Sequence, residues 1–239
     1  MSEPTAPKDT SGGRASSPEV GRHGDMLGRV GGGVRYTDDI QLPGMLHAKI
    51  VRCPHPHARI LSIDASEALA MPGVHGVITG KDMPIKFGII PWTPDEYPLA
   101  LDVARFVGDG VAAVAATDER TALDASRKIK IEYEVLPFVT DPHEALARPE
   151  IGLGKRGDSN LSKHVELEFG DIEAAFQESE VISEGDYFFE GTAHAPIETH
   201  CAVGHYDNEG LITLWSATQV PHYVHRELSR VLQVSPARI

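Results

Sequence analysis

Residues 211–219 read Leu-Ile-Thr-Leu-Trp-Ser-Ala-Thr-Gln, and they restrict the fold more than any other stretch. The apolar run 211–216 has the length of a β-strand. It ends in small and hydroxyl residues and one amide, and a helical pattern follows over 221–234. A strand that stops and turns into a helix places its last side chains at a turn held from both sides. Ligand-facing groups gather at such turns. Gln219 occupies this one. Read by itself, its amide either faces a ligand or satisfies the turn. Upstream, residues 191–204 read as a polar loop running into a strand.

Composition narrows the classes of function. Over 239 residues, 41% are hydrophobic and 24% charged, the balance of a folded domain large enough for a core. The net charge of -13 argues against nucleic acid or an anionic membrane surface as partner, since both need clustered Lys and Arg. The 2 cysteines, Cys53 and Cys201, fall in different predicted units, so no disulfide framework is implied. That usage points to a cytoplasmic protein. Residues 1–24 lack a basic segment followed by an apolar one, and no apolar run reaches membrane-spanning length.

In chain order, residues 1–24 read as a disordered arm, being rich in Ser, Gly, Pro and charge. Strands are predicted over 45–53, 58–63, 74–79, 111–116 and 129–133. Asp64 is expected to cap a short helix ending near 70, and residues 117–120 to open a helix reaching about 128. Residues 81–100, with four prolines, form a long irregular excursion. Asp141 begins a helix to 147. The resulting α+β (mixed α/β) unit spans 25–147, a polar linker spans 148–163, and a second unit spans 164–239. That second unit is expected to hold strands over 165–169 and 181–189 around a helix over 171–178.

Several candidate sites fail on spacing. The glycines of 28–33 put Tyr36 where a dinucleotide-binding G-x-G-x-x-G needs its third glycine. Residues 76–82 are one short of a phosphate loop, with Asp82 in place of the hydroxyl. His55-Pro-His57 reads as a surface turn. His222 and His225 share a helix face but have no acidic partner one turn away, so no metal ligand is assigned. There is no C-x-x-C for a cluster and no G-x-S-x-G nucleophile.

A set of ordered motifs carries a resemblance. His194-Ala-Pro-Ile-Glu-Thr-His-Cys-Ala-Val203, then Thr213-Leu-Trp-Ser-Ala-Thr-Gln219 and a helix, resembles the molybdenum-cofactor subunit of the xanthine dehydrogenase and aldehyde oxidase family. Gly33-Val-Arg-Tyr-Thr-Asp-Asp-Ile-Gln-Leu-Pro-Gly-Met-Leu46 and Val51-Arg-Cys-Pro-His-Pro-His-Ala-Arg-Ile60 are similar to that family's a/b hammerhead domain. So are Phe106-Val-Gly-Asp-Gly-Val-Ala-Ala-Val114, with Gly110 in place of a proline, and Ile131-Glu-Tyr-Glu-Val-Leu-Pro137. Within the family, residues 87–100 and 216–225 look most similar to the large (alpha) subunit of 4-hydroxybenzoyl-CoA reductase.

The resemblance implies an a/b hammerhead domain over 25–147, followed over 164–239 by the beginning of a molybdopterin-binding domain. It implies a molybdenum-bearing molybdopterin dinucleotide, and FAD and iron–sulfur clusters on partner subunits. Most of the family hydroxylates a carbon; the hydroxybenzoyl-CoA member removes a phenolic hydroxyl reductively, a step of aromatic degradation. The metal–pterin carries the redox chemistry, and the protein binds and orients. Gln219 matches the family's glutamine beside an oxygen ligand of molybdenum, where a neutral amide donates without becoming a ligand. His194 and Glu198 match positions expected to order the loop. No catalytic residue is expected within 1–239, because the family's G-G-G-F-G-G loop and catalytic Glu lie further along. A separate chain supplying the rest of the domain is one expectation. A non-catalytic hammerhead module that packs on other subunits is the competing one, and a small-molecule binder using 84–98 as a lid is a third.

Overall fold

The computed structural model describes residues 28–90, 94–151, 160–161 and 163–239. The expected arm over 1–24 and most of the expected linker over 148–163 lie outside them. After a single 3-10 turn at Thr37–Asp39 come β1 (His47–Arg52), β2 (Ala58–Asp64), α1 (Ser66–Leu69) and β3 (Val74–Thr79). Then follow β4 (Val103–Ala104), β5 (Gly110–Ala116), α2 (Glu119–Ser126), β6 (Lys130–Val135) and α3 (Pro142–Ala147). Further along lie α4 (Ile172–Glu178), β7 (Ala202–Tyr206), β8 (Ile212–Ser216) and α5 (Pro221–Leu232).

Successive strands of the first six alternate between two antiparallel sheets, ordered β1-β5-β3 and β4-β2-β6. The chain thus pairs with itself over long range rather than in local hairpins. Strand β5, Gly-Val-Ala-Ala-Val-Ala-Ala, is central in its sheet, and its small side chains let α2 cross β1 and β5 closely. Ala122 and Ala125, spaced by three on α2, are fully buried there. Two apolar clusters share Ile63 and Ile131 at their border. One gathers Cys53, Ala58, Ala100, Ala104 and Val111; the other gathers Ala68, Val114, Ala125 and Ile129.

Helix starts follow from carboxylates. Asp118 accepts from the Thr121 amide at 2.8 Å, Asp141 from Glu144 at 2.8 Å, and Asp171 from Ala174 at 3.0 Å. Asp64 departs from expectation by one residue. It accepts from the Ser66 amide at 2.9 Å, but Ala65 is the capping position of α1. Helix α5 stops at Leu232, short of the expected 234. Gln233 takes a left-handed backbone (φ 54°), and the Val234 amide returns to the Ser229 carbonyl at 3.1 Å.

The described parts of the excursion after β3 are pinned rather than loose. A Cβ at Gly80 would stand 2.5 Å from the Ala100 carbonyl oxygen, so only glycine lets the two ends meet. Inside it, Phe87 and Glu96 exchange both backbone hydrogen bonds, at 2.8 and 3.0 Å. The Lys86 ammonium lies 5.4 Å from the centre of the Tyr97 ring.

The expected strands over 165–169 and 181–189 are not formed. Both stretches have strand composition, but neither meets a ladder partner among the described residues. Their apolar side chains therefore face solvent: Tyr187 is 94% exposed and Phe189 88%. The two-residue β4, missed in the sequence, is too short to show any alternation.

Candidate functional site

Two motif segments that are distant in sequence meet in the first unit. The Cys53 amide donates to the Asp109 carbonyl at 2.8 Å, and the Gly108 amide donates to the Cys53 carbonyl at 2.8 Å. Arg52 Nη1 donates to the Gly108 carbonyl at 2.8 Å. Gly108 has φ 95°, a conformation that glycine adopts without a Cβ clash. The arginine of the Val51–Ile60 motif thus holds the turn of the Phe106–Val114 motif. His57 belongs to the same framework, its Nδ1 lying 2.8 Å from the Pro137 carbonyl. His55 packs edge-on against Tyr133, with ring centroids 5.4 Å apart. The His-Pro-His turn is therefore a joint between β2 and the end of β6, with each ring already engaged. Beneath it the Tyr133 hydroxyl is buried, with no partner at hydrogen-bond geometry among the described residues. Its pKa is pushed up to about 12, by burial first and then by the Cys53 thiol and Asp109.

In the second unit, β7 and β8 form a hairpin in continuous register from Ala202↔Ser216 to Tyr206↔Ile212. Asp207 Oδ1 closes its turn, accepting from the Glu209 amide at 2.9 Å and the Leu211 amide at 2.8 Å, and Gly210 has φ 81°. Beyond the ladder the Ala217 amide donates to the Cys201 carbonyl at 3.2 Å, which keeps the outgoing segment beside the incoming one. Thr218 Oγ1 then accepts from the Val220 amide at 3.2 Å, and α5 starts at Pro221. Gln219 lies between these two anchors. It is exposed, and its amide makes no hydrogen bond among the described residues. The turn is thus satisfied by Thr218, leaving the Gln219 amide available as a donor.

The other marked residues sit apart from this turn. His194 and Glu198 are exposed and make no hydrogen bond among the described residues, so the expected ordering of the loop through them is not seen. Ala195, between them, takes φ 45°. The Cys201 thiol has its pKa raised, chiefly by burial and then by Asp38, Glu198 and Asp39, which makes it a poor nucleophile. His225 Nε2 lies 2.9 Å from the Pro236 carbonyl and 3.2 Å from the Ile239 carbonyl, so that ring holds the residues after α5. His222 and His225 do not converge on a third ligand, and no group of three metal-binding side chains occurs among the described residues. A cavity of about 340 Å³ opens between β8 and α5, lined by Thr213, Ser216, Thr218, Val224, His225 and Leu228, on a face that does not include Gln219.

Comparisons with known proteins agree with this layout. Residues 31–137 match the family model "aldehyde oxidase and xanthine dehydrogenase, a/b hammerhead domain", and residues 155–239 match the molybdopterin cofactor-binding domain. The chain is 36% identical over 217 residues to the nicotinate dehydrogenase large molybdopterin subunit of Eubacterium barkeri, covering 90% of this chain and 50% of that one. It is 35% identical over 213 residues to the carbon monoxide dehydrogenase large chain of Afipia carboxidovorans, covering 82% of this chain and 26% of that one. The chain thus spans half or less of the length of these curated relatives. Among solved structures, a Cu,Mo carbon monoxide dehydrogenase superposes with a TM-score of 0.74 at 32% identity, over 90% of this chain and 29% of the other. Aldehyde oxidoreductase from Desulfovibrio desulfuricans superposes with a TM-score of 0.77 at 27% identity, over 87% of this chain and 24% of the other. With both models matched in chain order, the chain carries an aldehyde oxidase and xanthine dehydrogenase a/b hammerhead domain followed by the start of a molybdopterin cofactor-binding domain.

Proposed function

We propose that this chain is the hammerhead and leading cofactor-domain portion of a molybdenum oxidoreductase large subunit, divided near 148–163, and that Gln219 faces the metal–pterin group. The observation that carries the reading is the strand-to-helix turn, where Thr218 satisfies the backbone and leaves an exposed, unpaired amide next to it. The donor set fits: a neutral amide can orient a metal-bound group without displacing it. When bound, the group would supply the redox chemistry. This chain would hold Gln219 rigidly between β8 and α5, and the hammerhead would support that hairpin from the side of residues 37–39, which contact β7.

The reaction belonging to this reading is hydroxylation of an aromatic, heteroaromatic or aldehyde carbon. Reductive dehydroxylation of 4-hydroxybenzoyl-CoA is the finer alternative, supported by residues 87–100 and 216–225. FAD-binding and iron–sulfur subunits are the proposed partners, in the cytoplasm. Among the described residues no helix is long and apolar enough to cross a membrane, and both cysteines are free thiols. A purely architectural role, as a hammerhead module packed on other subunits, draws its support from the exposed Tyr187, Phe188 and Phe189, which need a covering surface.

Replacing Gln219 by Ala in the complete subunit tests the cofactor reading. The expected outcome is unchanged molybdenum content, an altered Mo(V) paramagnetic resonance signal and turnover lowered about 10–100-fold, the usual cost of losing a group that orients a metal centre. An unchanged signal with unchanged turnover would exclude Gln219 from the site.

A further inference from the structure

Helix α5 carries a carboxyl group whose surroundings the local sequence does not announce. Glu227 is 8% exposed, while the guanidinium-bearing side chains on either side remain about half exposed. Its Oε1 accepts from Arg226 Nε at 2.7 Å, and its Oε2 lies 3.8 Å from Arg230 Nη1. The Arg226 guanidinium in turn stands 4.9 Å from the centre of the Tyr223 ring. The same Oε2 accepts the backbone N–H of Gly88 at 3.4 Å, across 139 residues of sequence. Gly88 is itself buried, although Ile89 and Ile90 beside it are half exposed.

Sealing apolar surface would call for an apolar side chain at 227. A carboxyl group taken out of water is costly unless it is paired and hydrogen-bonded, and here both guanidinium groups and one amide meet that requirement. What an acidic side chain adds is direction: it selects one backbone N–H, that of the residue following Phe87 in the paired Phe87–Glu96 segment.

We propose that Glu227 is a positioning residue that ties the 81–100 excursion of the hammerhead to α5, and so fixes the helix that starts just after Gln219 against the first unit. Arg226 and Arg230 hold the carboxyl in place, and Tyr223 holds Arg226. The tether joins two segments of this chain and stands independently of any bound cofactor.

Amide hydrogen exchange on the full chain tests it, with Glu227→Ala, Glu227→Gln and, as a control, Glu67→Gln, which removes a surface carboxylate paired with Lys130. Glu227→Ala is expected to raise exchange in a peptide over 85–90 about tenfold, equivalent to about 1.4 kcal/mol. Exchange over 217–224 should rise with it, while β5 stays protected. Glu227→Gln keeps an acceptor oxygen at the same reach and is expected to recover most of the protection. Glu67→Gln should leave both peptides unchanged. The proposal is overturned by unchanged exchange over 85–90 in Glu227→Ala, by a uniform rise that includes β5, or by a Gln variant that exchanges like the Ala variant.

Discussion

Residues 47–135 and residues 163–201 contain similar kinds of apolar side chain and end in opposite states. In the first region Val111, Val114, Ala58 and Ala104 are fully buried. In the second, Val181, Tyr187, Phe188 and Ile197 are all more than 80% exposed, at 83%, 94%, 89% and 103%. The difference lies in pairing. Each strand of the first region finds a partner elsewhere in the same region, so its backbone polar groups are satisfied and its side chains close on each other. The second region offers backbone and apolar surface to a partner that it does not itself contain. β-Propensity describes fitness for a pleated, half-buried surface; it does not supply that surface.

The largest expected effect follows directly. Limited proteolysis of this chain should cut within 163–201 well before it cuts within 47–135. Amides there should exchange at least about 10³-fold faster than those of β5, because local opening costs almost nothing in one region and the full stability of the unit in the other. Mass mapping of the first cleavage products checks it. Cuts inside 47–79 or 110–135 at comparable rates would break the contrast.

A pair of glycine substitutions sharpens the contrast. A Cβ at Gly80 would meet the Ala100 carbonyl oxygen at 2.5 Å and the Leu101 Cα at 2.7 Å, both backbone atoms with little room to yield. Gly80→Ala should lower stability by about 1–3 kcal/mol, the usual range for overpacking. Gly191, in the exposed region, has nothing within 4 Å of its would-be Cβ, so Gly191→Ala should leave the midpoint unchanged. Chemical denaturation of both variants, followed by tryptophan fluorescence and by far-ultraviolet circular dichroism, measures the difference.

The same contrast explains what could be read in advance. Strand β3 and the starts of α2, α3 and α4 were legible because their signals are local: a β-rich run after Pro72-Gly73, the opening Thr117-Asp-Glu-Arg120, and an Asp at 141 and at 171 where a helix begins. The strands expected over 165–169 and 181–189 were misread because composition does not reveal whether a partner strand is present. At the candidate site, the turn at Gln219 was visible as a strand ending before Pro221, but a role for its amide came only from the resemblance. Glu227 left no sign at all. A Glu beside Arg226 and three residues before Arg230 reads as a solvated helix face, and the group that buries it is a backbone amide 139 residues away.

The smallest effect concerns two aspartate caps, one in each region. Asp118 caps α2, whose Ala122 and Ala125 are buried against the sheet; Asp171 caps α4, which buries none of its residues. Hydrogen bonds from the Thr121 hydroxyl and amide hold the Asp118 carboxyl below its ordinary value of about 3.9. A carboxylate whose pKa is depressed on folding contributes stability that is complete above the unfolded value and is lost as pH falls through the folded one. Asp118→Ala should therefore lower the unfolding midpoint at pH 7, by less than Gly80→Ala, and flatten the decline in stability below about pH 4. Asp171→Ala should leave the cooperative midpoint untouched and reduce only the local helicity of 172–178, because a helix that buries nothing is not coupled to the core. Thermal melts at pH 7 and pH 3 decide the matter. A drop for Asp171→Ala equal to that for Asp118→Ala would mean that α4 folds as one unit with the hammerhead, and the division between a closed and an open region would then lie elsewhere in the chain.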